Sequence, residues 1–220
     1  MVQTLQTIEE QVRPDRAALI IVDLQNDFCA PGGFINRERG YDVSFADAVA
    51  TNIGETAAIA RAAGMAIVWV RSHYDFKYLT APHIAKRQAE GCCMEGSWGA
   101  EFFRVHPQAD DAVVNKHHFS GFKDTSLDTL LRRRSVQTLI MTGVATNVCV
   151  DSTLRDGFFL GYYIVLLEDC VGSNSKAGHE GTLATVRNNI GIVTTVSGWR
   201  DSLAHSASGA AAADRLQLAR

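Results

Sequence analysis

The 220-residue sequence predicts an α/β protein with a Rossmann-like, doubly wound, mostly parallel six-stranded sheet and helices on both faces. Six short runs rich in β-branched residues alternate with amphipathic stretches, an order typical of βαβ units. These runs are apolar throughout, as expected of strands that are covered on both faces. The length suits one such domain, so we expect a single domain over residues 1–220.

Each element has its own signal along the chain. The strands are expected at residues 17–23, 65–71, 112–116, 138–143, 163–169 and 192–198. The helices between them are expected at residues 44–64, 125–135, 146–161 and 175–190. Ser44 and Gly64 have the residue types that begin and end a helix, and Thr125 with Asp128 resembles a capping box.

Two connections are longer than βα units require. Residues 24–43 and 72–111 are therefore expected to be ordered segments that line or cover a pocket. Residues 1–16 form an N-terminal extension, and residues 207–220 form an Ala-rich C-terminal tail. The tail fits either a frayed end or a short helix on a neighbouring subunit.

Composition disfavours several classes of partner. The chain has 21 basic and 24 acidic residues without a block of like charge, which argues against nucleic acid and anionic membranes as partners. We find no apolar run of membrane-spanning length, and the polar N-terminal segment does not resemble a signal peptide. Five irregularly spaced cysteines indicate free thiols in a reducing cytoplasm.

Reactive side chains follow three of the predicted strands. In an open parallel sheet, ligands bind beyond the carboxyl ends of the strands, where Asp23, Lys116 and Cys149 would meet. A helix N-terminus and the Lys116 ammonium favour a thiolate, and Asp23 can accept the thiol proton. The turn at residues 143–147 can direct the backbone N–H groups of Ala145 and Cys149 toward a developing oxyanion.

Three motifs resemble the isochorismatase-like cysteine hydrolases, from about residue 17 to about residue 199. They are "ALIIVDLQNDFCAPGG", "VVNKHHFSGF" and "LIMTGVATNVCVDSTLRDGFFLGYYIVLLEDC". The resemblance implies a catalytic triad of Asp23, Lys116 and Cys149, with a cis peptide bond between Val144 and Ala145. Members that hydrolyse the vinyl ether of isochorismate lack the cysteine, so Cys149 implies C–N cleavage through an acyl-enzyme.

The branch of the family is suggested by further residues. "GVATNVCVDSTLRDGFFLGY" and "GSWGAEF" most resemble the ureidoacrylate and related carbamoyl amidohydrolases. Nicotinamidases hold a metal through an Asp-x-His pair after the second strand. Here that segment contains His73, Asp75 and His83 without the pair, so we expect no metal or other cofactor and disfavour nicotinamide.

Substrate-binding side chains are expected on the long connections and after the third strand. Our candidates are Asn26, Phe28, Tyr74, Trp98 and Phe119. Core packing is the alternative role for the aromatic residues. Gln25, two residues after Asp23, is a candidate to support that carboxylate.

The sequence supports three hypotheses about the function. The first is a metal-independent cysteine amidohydrolase that acts on a small amide, ureido or carbamoyl compound. The second is a nicotinamidase-type or N-carbamoyl amino-acid hydrolase. The third is a non-catalytic small-molecule binding module, although the chain has neither a G-x-G-x-x-G turn nor a P-loop. The resemblance also implies a homo-oligomer, a dimer or a tetramer.

Overall fold

The computed structural model describes residues 4–88 and 90–206. Its strands are β1 Ala17–Val22, β2 Ala66–Ser72, β3 Ala112–Lys116, β4 Thr138–Val144, β5 Tyr163–Gly172 and β6 Ile192–Thr194. They form one parallel sheet in the order β3-β2-β1-β4-β5-β6. The predicted fold class is confirmed. The chain winds in opposite directions from β1 and β4, so ligands are expected at the carboxyl ends of these strands.

Helices and helical turns connect the strands. They are α1 Ile8–Gln11, α2 Asn26–Cys29, α3 Phe34–Arg39, α4 Ala46–Ala62, α5 Ala81–Arg87, α6 Leu127–Arg133, α7 Asp151–Phe159, α8 Lys176–Thr185 and α9 over residues 196–206. Tight turns lie at Phe76–Tyr78 and Trp98–Ala100, while wide helical turns lie at Thr146–Val150 and Val186–Ile190.

Two apolar layers cover the sheet, one on each face. Alternate residues of β1 point to opposite sides, so Ile21 packs in the layer that includes Ile53 of α4. Ile20 packs in the other layer with Leu131 of α6 and Leu154 of α7. Every residue of β1 is buried, which explains why the sequence of this strand is apolar throughout.

The ends of some elements differ from prediction. Ser44 does not cap α4, because its hydroxyl donates to the Asp42 carboxylate at 2.8 Å. The capping box of Thr125 and Asp128 is also wrong, since Asp128 accepts a hydrogen bond from the Tyr162 hydroxyl at 2.7 Å. The last strand is shorter than predicted, because the chain becomes helical from residue 196 onward.

The N-terminal extension contacts the sheet, since the Leu5 N–H donates to the Tyr163 hydroxyl at 2.9 Å. The tail at residues 207–220 lies outside the described residues. Within the described part of the chain, each helix is too short or too polar to cross a bilayer.

Candidate active site

The three predicted catalytic residues meet at the carboxyl edge of the sheet. The Lys116 Nζ lies 2.8 Å from the Asp23 Oδ2, and both side chains are at most 1% exposed. The Ser72 hydroxyl donates to the Asp23 Oδ1 at 2.9 Å and accepts from the Lys116 Nζ at 2.8 Å. The Tyr74 hydroxyl lies 3.2 Å from the Lys116 Nζ and 3.8 Å from the Cys149 Sγ. These contacts link a carboxylate, an ammonium group and a thiol through two hydroxyl groups.

Backbone geometry fixes the position of Asp23. Its φ of 51° lies in the left-handed region, which is uncommon for a residue other than glycine. Its N–H donates to the Val70 carbonyl at 2.8 Å, so the chain turns directly after β1. The Gln25 amide accepts from the Ser72 N–H at 2.7 Å and donates to the Ser72 carbonyl at 3.0 Å. Gln25 therefore joins the turn to the end of β2.

A tight turn after β4 presents Cys149. Gly143 has a φ of +113°, and a Cβ at this position would lie 2.0 Å from the Val22 carbonyl oxygen, so only glycine fits. The Val144–Ala145 peptide bond is cis, as the family resemblance implies. The Ala145 carbonyl accepts the Val148 N–H at 3.0 Å. Cys149 lies in the wide turn before α7, not in the first turn of that helix.

Burial determines the ionisation of the thiol. It raises the pKa of Cys149 to about 12, while the nearby Lys116 ammonium opposes this rise without cancelling it. The predicted thiolate is therefore not the resting form at neutral pH. Burial also acts against the Lys116 charge, but the Asp23 carboxylate outweighs it and holds the pKa of Lys116 well above its usual value. The resting group is thus an ion pair beside a protonated thiol.

A cavity of about 160 Å³ opens above this group. Its volume is smaller than the roughly 300–1,000 Å³ typical of sites for drug-sized ligands. Its lining residues are Asp23, Phe28, Ile35, Tyr41, Tyr74, Arg87, Phe119, Val144, Ala145, Val148, Cys149 and Asn174. The thiol therefore faces a small, largely apolar chamber.

The cavity contains three of the five predicted substrate-binding residues, Phe28, Tyr74 and Phe119. Asn26 and Trp98 do not line it. The Asn26 amide donates to the Trp98 carbonyl at 2.9 Å, which joins α2 to the turn that contains Trp98. The Trp98 side chain is 54% exposed and lies outside the chamber.

Residues 17–197 match the Isochorismatase domain family. The chain belongs to this family. A cysteine hydrolase from Pseudomonas syringae pv. phaseolicola 1448A is 30% identical with a TM-score of 0.76, over 89% of this chain and 96% of that chain. Nicotinamidase from Bacillus subtilis is 26% identical with a TM-score of 0.69, over 81% of this chain and 99% of that chain.

N-carbamoylsarcosine amidase from Thermoplasma acidophilum shares the fold, at 24% identity and a TM-score of 0.69, over 82% of this chain and 96% of that chain. Together these matches identify an isochorismatase-like cysteine hydrolase. Two of these neighbours, the nicotinamidase and the N-carbamoylsarcosine amidase, are amidases.

The sequence analysis missed five residues that line the chamber of this hydrolase. They are Ile35, Tyr41, Arg87, Val148 and Asn174. Their common signal is position, because each lies in a connection after a strand rather than in a strand. Arg71, the other arginine near the carboxyl end of β2, does not line the chamber, and its Nε donates to the Asn115 side chain at 2.7 Å.

The histidine of α5 has a packing role in this hydrolase. His83 packs edge-on against Tyr74 and Phe119, with ring centroids 5.3 and 5.0 Å away. Burial and the neighbouring Arg87 charge lower the pKa of His83 to about 4. Its neutral ring therefore accepts the Arg87 Nε–H, at 3.1 Å.

One group of three side chains among the described residues has metal-ligand geometry, namely Asp27, Cys92 and Cys93. The Asp27 carboxylate already accepts two backbone N–H groups, from Phe34 at 2.8 Å and from Cys93 at 2.6 Å. Its two oxygens thus join α3 to the long connection after β2. This role accounts for a buried carboxylate at the start of the first connection.

Proposed function

We propose that this isochorismatase-like hydrolase is a cysteine-dependent amidohydrolase that cleaves a C–N bond of a small ureido, carbamoyl or amide compound. Cys149 is the nucleophile, and Asp23 and Lys116 complete the triad. The observation that carries this proposal is the Cys149 thiol, which faces the chamber beside the buried Asp23–Lys116 pair.

The first half of the cycle forms a thioester-type intermediate. The Cys149 Sγ attacks the carbonyl carbon while its proton passes to the Asp23 carboxylate. Because burial keeps the resting thiol protonated, this transfer must accompany the attack. The C–N bond then breaks, and the departing amine or ammonia takes the proton from Asp23. Lys116 remains an ammonium group and keeps the carboxylate oriented.

The second half releases the acid or carbamate. Asp23 accepts a proton from water as the water oxygen attacks the acyl carbon. The C–S bond breaks, and the proton on Asp23 returns to the sulfur. In both halves, negative charge develops on the carbonyl oxygen. The backbone N–H groups of Ala145 and Cys149 are proposed to stabilise it, because both residues line the chamber at the turn after β4.

The test compares ammonia release by the wild-type enzyme and by Cys149→Ala. The compounds are ureidoacrylate, biuret, N-carbamoyl amino acids and nicotinamide. Removal of the nucleophile is expected to lower kcat by about 10⁴-fold or more. Cys170→Ala is the matched control, since Cys170 is another buried free thiol and contacts the Thr56 hydroxyl instead of the chamber. Unchanged turnover by Cys149→Ala would overturn the proposal.

We propose that the enzyme is a homo-oligomer and that it acts in the cytoplasm. Phe158, Phe159 and Leu160 at the end of α7 are 40%, 77% and 42% exposed, and such apolar patches commonly lie at subunit interfaces. Multi-angle light scattering of the full chain and of Phe159→Ser tests this. A wild-type monomer would contradict the oligomer.

A further inference from the structure

The charged side chains that line the chamber carry a net positive charge. The Asp23 carboxylate and the Lys116 ammonium offset each other, and the Cys149 thiol is uncharged in the resting enzyme. Among the described residues that line the chamber, the remaining charged side chain is Arg87. Its half-buried guanidinium group therefore gives the chamber a net positive charge.

Arg87 is held in a fixed orientation by its neighbours. The guanidinium carbon lies 3.9 Å from the centroid of the Tyr74 ring, a cation–π contact. The Nε–H donates to the neutral His83 ring at 3.1 Å. An arginine has five N–H donors, so this hydrogen bond leaves donors for a ligand.

No carboxylate pairs with Arg87 within the described part of the chain. The nearest acid along the sequence, Glu90, instead accepts the Phe76 N–H at 2.6 Å. The buried Asp27 carboxylate accepts the backbone N–H groups of Phe34 and Cys93. A guanidinium group can bind a carboxylate through two parallel N–H donors, and Arg87 faces the chamber without an acidic partner among the described residues.

The same tyrosine separates the cation from the nucleophile. Arg87 stacks on the face of the Tyr74 ring, and the hydroxyl of that ring lies 3.8 Å from the Cys149 Sγ. One phenol ring thus separates the anion-binding group from the attacking atom. A substrate that reaches both has its carboxylate only a few bonds from the scissile carbonyl, in keeping with a chamber of about 160 Å³.

From this arrangement we infer that Arg87 binds the carboxylate of the substrate, so that the enzyme prefers small acids carrying a ureido, carbamoyl or amide group over their uncharged analogues. The inference rests on the proposed amidohydrolase function and narrows its substrate class. It also assigns α5 to substrate recognition.

The first test needs no known substrate. Iodoacetate and 3-iodopropionate are each compared with their own amides as alkylating agents of Cys149, and the labelled residue is located by mass spectrometry. In the wild-type enzyme the acid-to-amide rate ratio is expected to exceed the ratio measured for glutathione. Arg87→Met is expected to lower this ratio by about ten-fold or more, as loss of a charge-assisted hydrogen bond implies.

Two further variants control the comparison. Arg71→Met removes an arginine that lies outside the chamber and should keep the wild-type ratio. Arg87→Lys retains the charge and should keep most of the acid preference, whereas Arg87→Gln replaces Arg87→Met if that variant does not fold. Equal acid-to-amide ratios in the wild-type enzyme and in the uncharged variant would overturn the inference.

A second experiment distinguishes a failure of the carboxylate site from a failure of the proposed function. Turnover of N-carbamoylglycine is compared with that of N-carbamoylglycinamide. If turnover depends on Cys149 but Arg87 has no effect on the preference for the acid, the carboxylate site is refuted. The proposed amidohydrolase function then stands. An Arg87-dependent labelling ratio without turnover of any compound would support the anion site and count against the proposed reaction.

Discussion

Ser72 gives the sharpest test of how the buried charges are organised. Its side chain is fully buried and its hydroxyl bonds to both charged groups, at 2.9 Å to Asp23 and at 2.8 Å to Lys116. A hydrogen bond to a charged group contributes about 1.5–3 kcal/mol. In Ser72→Ala the direct contact between the two charges remains, at 2.8 Å. We therefore expect a loss of about 2–3 kcal/mol in the free energy of unfolding, not the sum of two such bonds.

Urea denaturation and calorimetry measure this loss, which corresponds to a fall of about 4–12 °C in Tm for a chain of this size. The carboxylate also loses a donor that fixes its orientation. The rate of Cys149 alkylation by iodoacetamide is therefore expected to fall about ten- to hundred-fold. This second readout distinguishes an organising role in the site from ordinary packing.

The matched control is Thr142→Val on β4. The Thr142 side chain is also fully buried, but its hydroxyl donates to the uncharged Ile20 carbonyl at 3.0 Å. We expect this variant to lose about 0.5–1.5 kcal/mol and to keep the wild-type alkylation rate. If Ser72→Ala matches Thr142→Val in both measurements, the reasoning about the charged bonds is refuted.

Three more predictions follow from the same edge of the sheet. Gly143→Ala is expected to lose about 2–4 kcal/mol in urea denaturation, because a Cβ there would strike the Val22 carbonyl and φ is positive. Lys116→Met is expected to lose about 3–5 kcal/mol, because Asp23 would be left as an unpaired buried carboxylate. The free energy of unfolding is expected to fall as pH rises from 9.0 toward 12, because the Cys149 thiol stays protonated in the folded state and ionises in the unfolded chain. The stabilisation from this thiol is complete below pH 9.0, and Cys149→Ala should flatten the decline above it.

Each of these has a contrary outcome and a control. Gly161→Ala has a positive φ but open space around its Cβ, so it should cost less than Gly143→Ala; the reverse order would refute the clash. A Lys116→Met protein as stable as the wild type would argue against the ion pair. Equal slopes of stability against pH for the wild type and Cys149→Ala would contradict the effect of burial on the thiol.

The sheet and its reactive edge were predictable because they depend on local patterns. Apolar runs identify strands that helices cover on both faces, and the carboxyl ends of parallel strands share one edge. This rule brought Asp23, Lys116 and Cys149 together without coordinates. The same rule could have identified Ser72, because this residue ends β2 and is the register partner of Lys116 in β3.

The chamber was harder to predict, because the residues that line it lie on long connections, and the conformation of these connections depends on tertiary contacts. Nothing local in the sequence distinguishes Trp98, which is exposed, from Phe28, which lines the chamber. Arg87 ends a short helix, and its orientation depends on the ring of Tyr74, thirteen positions earlier in the sequence. Such contacts follow from tertiary structure, which strand and helix periodicity does not encode. The pKa of Cys149 was misjudged for a related reason, since burial outweighs the nearby positive charge.

In the proposed mechanism, the groups that break the bond lie at or just beyond strand ends. The proposed carboxylate-binding residue, Arg87, belongs instead to a short helix in the connection after β2. Replacing that helix with its counterpart from another family member should therefore exchange ligand preference while the reaction itself is retained. New substrate preferences can therefore arise by substitutions in this one helix, and directed evolution of the enzyme is best begun with its residues.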